Sequence, residues 1–232
     1  MAKFDDAEIL RTRFYLCVQR WRLGAIYRNE PRIEFSKFSS GQSSMLLKRT
    51  CDIAGVLVAL IIFAIPMAIV ALAVCVTSRG PALYWSQRVG RGNRLFSMPK
   101  FRTMLTDTPV IATHLLGDAT RHLTPIGSFL RKTSLDELPQ LWCILKGDMS
   151  FVGPRPALFN QDDLVAARTA QNVHLLLPGL TGWAQVNGRD ELAIPDKVAF
   201  DAEYLERRSF LFDLRILGLT AIRVLGATGV QH

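Results

Sequence analysis

Cysteine is scarce here: four among 232 residues, Cys17, Cys51, Cys75 and Cys143, with no C-x-x-C pair. That excludes a disulfide framework and a zinc-ribbon pattern, and it suits a reducing cytosol. Histidine is as thin. His114, His122 and His174 stand apart and His232 is the last residue, so no credible histidine metal set exists. There is no Walker loop and no G-x-G-x-x-G turn; Gly90-x-Gly92 is only a hairpin turn. No Asp-x-Asp element occurs, and no internal repeat or low-complexity tract. Acidic residues are outnumbered, 20 against 28 Lys and Arg, for a net charge of +8. That excess calls for an anionic partner. Nucleic acid is not it: the cations are spread among Gly, Pro and carboxylate motifs, and no nucleic-acid fold signature appears.

What the chain does have is hydrophobicity, 49% of its residues, which is high for a basic protein and points to a membrane surface. Ile53 to Val76 runs without a charge, about 24 residues or some 36 Å as helix, enough to cross a bilayer. It starts too far along for a signal peptide. Its flanks argue against a simple crossing. Arg28, Arg32, Lys37, Lys48 and Arg49 precede it, and Arg79, Arg88, Arg91, Arg94 and Lys100 come after it. Lys and Arg favour the cytoplasmic face, and here both ends claim it. Pro66 lies near the middle, where it removes a helix hydrogen bond and bends the axis. A broken, re-entrant helix that enters and leaves by one leaflet satisfies both observations. A spanning helix with a tolerated proline is the alternative.

The chain reads as three regions: an Arg-rich extension over 1–45, the membrane helix over 46–79, and a cytoplasmic domain over 80–232. The extension reads as a helix from Asp5 to Tyr27 and a linker from Asn29 to Ser44. Ala82–Val89 and Leu95–Arg102 read as two strands joined by Gly90-Arg91-Gly92-Asn93. Helices are expected to end at Leu115–Gly117 and to cover Leu135–Leu145, Asn160–Asn172, Asp196–Arg207 and Phe210–Leu225. The last, with Phe210, Leu214, Leu217 and Leu225 on one side, suits either the headgroup plane or a core. The fold class is therefore α+β, mainly helical: a monotopic membrane protein with a Pro-broken re-entrant helix, a small β-hairpin and amphipathic interfacial helices.

The chemistry concentrates at Ser134-Leu135-Asp136-Glu137, with Lys146-Gly147-Asp148-Met149-Ser150 and Gly153-Pro154-Arg155-Pro156 shortly after it. Ser134 with Glu137 three residues on fits a capping box, which places Asp136 in a first helical turn. There the helix dipole favours an ionised carboxylate or a phosphate. Alone, the pair would be two ordinary first-turn acids. Prolines on both sides of Arg155 hold it on a rigid turn. Trp183, beside Gly182, suits either base stacking or packing.

Further blocks stand in order: Lys48-Arg49-x-x-Asp52, Gln87-Arg88-Val89-Gly90, Lys100-Phe101-Arg102-Thr103-Met104, Arg131-Lys132-Thr133 leading into the dyad, and Pro178 through Arg189. The ordered set, from about residue 46 onward, resembles the bacterial sugar transferases of the monotopic phosphoglycosyl transferase family. Residues 1–45 lie outside the likeness. The resemblance implies transfer of a sugar 1-phosphate from a UDP-sugar to polyprenyl (undecaprenyl) phosphate, with UMP released, at the cytoplasmic face of the bacterial inner membrane. It implies Mg²⁺ and a covalent phosphosugar on Asp136, with Glu137 beside it at the metal or at the lipid phosphate. Lys100, Arg131, Arg155, Arg189 and Asp201 match family positions near the site and are the expected phosphate-binding set. Pro66 matches the helix break, although Ile65 stands where the family has a small residue. Partners implied are the two substrates, membrane lipid and downstream glycosyltransferases.

The physical chemistry agrees. An ionised carboxylate is a nucleophile at neutral pH. A diphosphate donor needs cations and a metal to offset repulsion, Arg through its fork and Lys as a point charge. The rival readings are a membrane-bound glycosyltransferase that moves the sugar alone and releases UDP, and a non-enzymatic binder of acidic lipid.

Overall fold

A computed structural model describes residues 42–108, 119–188 and 192–225. The chain divides into two compact units, Met1–Gln42 and Ser43–His232. All of the first but Gln42 lies outside the described residues, as do the expected helices at Asp5–Tyr27 and Leu115–Gly117. The second unit carries the rest of the described residues.

The described residues are mostly helical, with a few short strands. Helix α1, Gln42–Thr77, contains Pro66, and within it Leu46–Thr77 is long and apolar enough to cross a membrane. Its apolar side chains divide by position. Val56, Val70 and Val74 are buried against the rest of the fold, each worth roughly 1.5–3 kcal/mol. Ile61, Ile62, Ile65 and Ile69, on either side of Pro66, are exposed.

Both ends of α1 are tied to the domain C-terminal to it. At the N-terminal end Arg49 donates to the carbonyls of Ile144 and Leu145, at 2.5 and 2.7 Å. Lys48 pairs with Asp213 and donates to the Val152 carbonyl at 3.0 Å, while Asp52 accepts the Phe151 N–H at 3.2 Å. At the other end buried Arg102 donates to the carbonyls of Ser78, Arg79 and Pro81, at 3.0, 2.8 and 2.8 Å. These carbonyls belong to the turn that leaves the helix just past Thr77. The Lys-Arg-x-x-Asp block and Arg102 are thus the two clamps of the apolar helix.

Strands β1, Leu83–Val89, and β2, Leu95–Phe101, pair antiparallel in the register Val89↔Leu95 and Trp85↔Pro99. Gly90 to Arg94 connects them, with Gly92 and Asn93 at positive φ. β2 is the sheet edge, which is why Pro99 is tolerated within it. On the other side of β1 lies β4, Ala157–Leu158, paired through Val89↔Ala157. Strand β3, Ser150–Val152, runs parallel to β5, Gly179–Thr181. The remaining α-helices are α2 (Gly127–Thr133), α3 (Leu141–Lys146), α4 (Asp162–Ala170), α5 (Trp183–Asn187), α6 (Ile194–Arg207) and α7 (Phe210–Leu225), of which α3 and α7 pack on the strands.

Two expectations about the dyad segment are corrected. Ser134 stands at the N-cap position of the dyad segment but forms no capping box: it is also the C-cap of α2, in the left-handed region at φ 56°, and its hydroxyl caps nothing. Nor does an α-helix run from Leu135 to Leu145. Leu135–Gln140 is a 3₁₀-helix, and α3 begins only at Leu141. Pro139 is the cause, since it has no N–H to donate back to Leu135 and disfavours α geometry at Leu138. Asp136 therefore stands in the first turn of a six-residue 3₁₀ segment, not at an α-helix dipole.

Helix α7 carries apolar residues on two faces. Phe212 and Ile216 are buried in a cluster with Val152, Leu176 and Tyr204. Phe210, Leu211, Leu214 and Ile222 are exposed. The core alternative holds for one face of the helix, and a separate apolar face is exposed.

Candidate active site

Asp136 and Glu137 project from the 3₁₀ turn onto β2, and four elements converge there. Lys100 comes from β2, Arg131 from the last turn of α2, and Arg155 from the loop between β3 and β4. Lys100 Nζ donates to Glu137 Oε1 at 2.7 Å, and Arg155 Nη2 donates to the same oxygen at 2.9 Å. Asp136 Oδ2 stands 4.0 Å from Lys100 Nζ. Arg131 Nε donates to Thr103 Oγ1 at 3.1 Å, close enough to the dyad for its charge to act on Asp136.

The two adjacent carboxylates are in unlike states. Asp136 is buried, and burial raises its pKa to about 6 against the partial relief from Lys100, with the Glu137 charge adding to the rise. For Glu137 burial also pushes upward, but Arg155 and Lys100 outweigh it by charge and hydrogen bonds. Its carboxyl is held well below the ordinary range. Glu137 is thus a fixed anion committed to two cations, and too weak a base to take a proton. Asp136 is ionised by about tenfold at pH 7, yet more basic than an ordinary aspartate. Burial lowers the pKa of the Arg131 guanidinium, and Asp136 opposes that shift; at neutral pH it remains a cation.

The loop that presents Arg155 is pinned by close backbone contacts. Gly153 N–H donates to the Thr181 carbonyl and Gly179 N–H to the Pro154 carbonyl, both at 2.9 Å. A Cβ on Gly179 would come 2.1 Å from the Gly153 nitrogen, and one on Gly182 would come 2.1 Å from the Gly153 carbonyl oxygen. No side chain fits either crossing.

Of the expected phosphate-binding residues, the structure brings Lys100, Arg131 and Arg155 together with the dyad. Arg189 lies outside the described residues. Asp201, on α6, is buried and accepts from Arg168 Nε and Nη2 at 2.9 and 2.6 Å through one oxygen. Its contacts run to Arg168, and burial raises its pKa despite that cation. Arg168 has no counterpart among the sequence expectations. Trp183 donates from its ring nitrogen to Glu203 at 2.7 Å and packs on Phe212 with ring centroids 5.0 Å apart; it takes the packing alternative.

As a metal site the dyad offers oxygen donors only. Among the described residues no group of three or more His, Cys, Asp or Glu is placed to hold an ion. That donor set does not fit zinc. It fits Mg²⁺, which takes one or two carboxylates and fills its remaining positions with water and phosphate oxygens. An apolar cavity of about 540 Å³ is walled by Met67 and Ala71 of α1, Trp85 and Phe101 of the hairpin, and Pro139 and Trp142.

Comparison with known proteins places these features in company. The family model described as bacterial sugar transferase matches residues 43–227. The chain is 39% identical over 188 residues to EpsL of Bacillus subtilis, an uncharacterized sugar transferase, covering 81% of this chain and 92% of that protein. It is 39% identical over 204 residues to the undecaprenyl-phosphate galactose phosphotransferase of Salmonella typhimurium, covering 81% and 42% respectively. It is 37% identical over 186 residues to the UDP-glucose:undecaprenyl-phosphate glucose-1-phosphate transferase of Escherichia coli, covering 77% and 40%. The chain thus spans about two fifths of the length of the relatives whose substrates are named.

Proposed function

Because the chain belongs to the bacterial sugar transferases and is a transferase enzyme, we propose that it moves a sugar 1-phosphate from a UDP-sugar to undecaprenyl phosphate. The observation that carries this reading is the unequal dyad: one carboxylate neutralised by two cations, its neighbour buried, basic and 4.0 Å from the nearest ion-pairing cation. In the first displacement an Asp136 oxygen attacks the phosphorus that bears the sugar. The bond from that phosphorus to the bridging oxygen breaks, and UMP leaves with the electron pair. In the second, an oxygen of undecaprenyl phosphate attacks the same phosphorus, and the Asp136 carboxylate departs. No proton needs to be removed from either nucleophile when both are ionised, so Glu137 is not needed as a base.

The remaining residues bind and orient. Lys100 and Arg155, already converged on Glu137 Oε1, can extend their other donors to the diphosphate. Arg131 opposes the negative charge that gathers when donor and Asp136 meet. Asp136 and Glu137 would hold Mg²⁺, whose chemistry is to neutralise phosphate charge. The apolar cavity and the exposed apolar faces of α1 and α7 support an amphiphilic acceptor presented at a membrane.

The same reading makes this a monotopic protein of the cytoplasmic face. Two features support it: cations flank the apolar run on both sides, and both ends of α1 are clamped to one domain.

The nucleotide product tests the function. The purified protein with UDP-sugar and undecaprenyl phosphate is expected to release UMP in step with lipid product. Release of UDP would instead mean that the sugar moves alone.

A further inference from the structure

Resting on that reading of the dyad, we propose that Arg168 and Asp201 are positioning residues that act through Arg155. Arg168 is 7% exposed and Asp201 1%, so this is an ion pair withdrawn from water. Such a pair is a poor source of stability, because desolving two charges offsets most of their attraction. An apolar pair of the same volume would pack α4 on α6 about as well. What it could not do is supply the third donor. With Nε and Nη2 both committed to Asp201 Oδ2, Arg168 Nη1 donates to the backbone carbonyl of Arg155 at 2.7 Å.

The chain of contacts is continuous. Asp201 fixes the plane of the Arg168 guanidinium, and that plane aims Nη1 at the Arg155 carbonyl. Pro154 and Pro156 restrict the backbone on either side. The Arg155 guanidinium then lands on Glu137 Oε1 at 2.9 Å. Arg155 is about one-third exposed at its side chain, so its own surroundings hold it less firmly than its backbone is held. A residue that must meet both Glu137 and an incoming diphosphate gains from that support, because small misplacements at a reacting centre cost large factors in rate. Asp201 therefore contributes to phosphate binding at second hand, by way of Arg168, and is not itself a phosphate ligand. The planar fork matters: lysine at 168 would keep a positive charge for Asp201 but could not hold three directed bonds in one plane.

The test is a mutant cycle on the first half-reaction, UMP release in a single turnover without acceptor. Wild type, Arg168→Lys, Arg155→Lys and the double variant are compared in detergent, with thermal unfolding recorded for each. Arg168→Lys is expected to unfold within a few degrees of wild type and to slow UMP release at saturating donor by roughly 10–100-fold. In the Arg155→Lys background the same change is expected to cost less than about threefold, since its target is already lost. Equal losses in both backgrounds, or wild-type rates from folded Arg168→Lys, overturn the proposal. Should Arg168→Lys fail to fold, Asp201→Glu enters the same cycle, because the longer acid displaces Arg168 from the carbonyl. Wild type that releases no UMP would sink the underlying reading and this inference with it; additive losses sink the inference alone.

Discussion

At the scale of the residue, burial sets the proposed nucleophile, Asp136, apart. The raised pKa of Asp136 means the folded protein binds its proton more tightly than the unfolded chain does. Stability from this group is therefore complete below about pH 4 and is lost as pH climbs through about 6. Asp136→Asn removes that penalty. The variant is expected to lose sugar-phosphate transfer by at least about a thousandfold and to resist denaturant better than wild type at pH 7–8, by on the order of 3 kcal/mol. The stability difference should close below pH 4, and denaturant titrations across pH check it. The same ionisation governs rate. Single-turnover UMP release should fall about tenfold per pH unit below roughly pH 6, because the UDP-sugar diphosphate does not titrate there. A flat profile between pH 5 and 7 would assign the nucleophile elsewhere.

The grouping of Asp136, Glu137, Lys100, Arg131 and Arg155 was legible in the sequence, because each sits in a block whose residue types only make sense together. Arg168 was not. It lies in Asp162-Asp163-Leu164-Val165-Ala166-Ala167-Arg168, which reads as a solvated amphipathic helix. Its partner is 33 residues away, and no local pattern reports a pairing at that distance. Asp201 was singled out from the sequence, and the structure pairs it with Arg168. Ser134 misled for the opposite reason: a local pattern was present, yet Pro139 decided the geometry from five residues further on.

At the scale of the element, the decisive structure is the crossing of β3 and β5. Three glycines let two backbones approach more closely than any Cβ allows, and the loop carrying Arg155 leaves from that crossing. Gly179→Ala must push Gly153 aside, with a contact of 2.1 Å to relieve. Overpacking of this kind costs about 1–3 kcal/mol. The variant should lower the unfolding temperature and slow UMP release more than tenfold even in the fraction that stays folded. Alanine at Gly92, where an added Cβ would meet nothing within 4 Å, tests for glycine loss in general: it should cost only the strain of a positive φ and leave the rate of the folded enzyme unchanged. The hairpin was readable from Gly90-Arg91-Gly92-Asn93 between two apolar runs. The β3–β5 pairing was not, since three-residue parallel strands leave too short a pattern to recognise.

At the scale of the whole molecule, one domain holds both ends of a helix apolar enough to cross a membrane. Lys48, Arg49 and Asp52 clamp the entry and Arg102 the exit, while the exposed isoleucines around Pro66 face away from the fold. A re-entrant helix predicts that both flanks share a compartment. With Cys17, Cys51 and Cys75 replaced by serine and Cys143 buried, Ser44→Cys and Arg79→Cys should react alike with an impermeant maleimide, labelled in inverted vesicles and protected in intact cells. Opposite labelling would make α1 a crossing helix, and the substrates would then have to meet on one side of it only.

The whole mechanism depends on a bond formed at Asp136. Protein incubated with a UDP-sugar radiolabelled at the phosphorus beside the sugar, in the absence of lipid acceptor, should acquire label at one site. Peptide mapping should place it on Asp136, and adding undecaprenyl phosphate should chase it into lipid. Protein that stays unlabelled while it turns over donor and acceptor together would contradict that mechanism, because the phosphosugar would then pass directly between substrates.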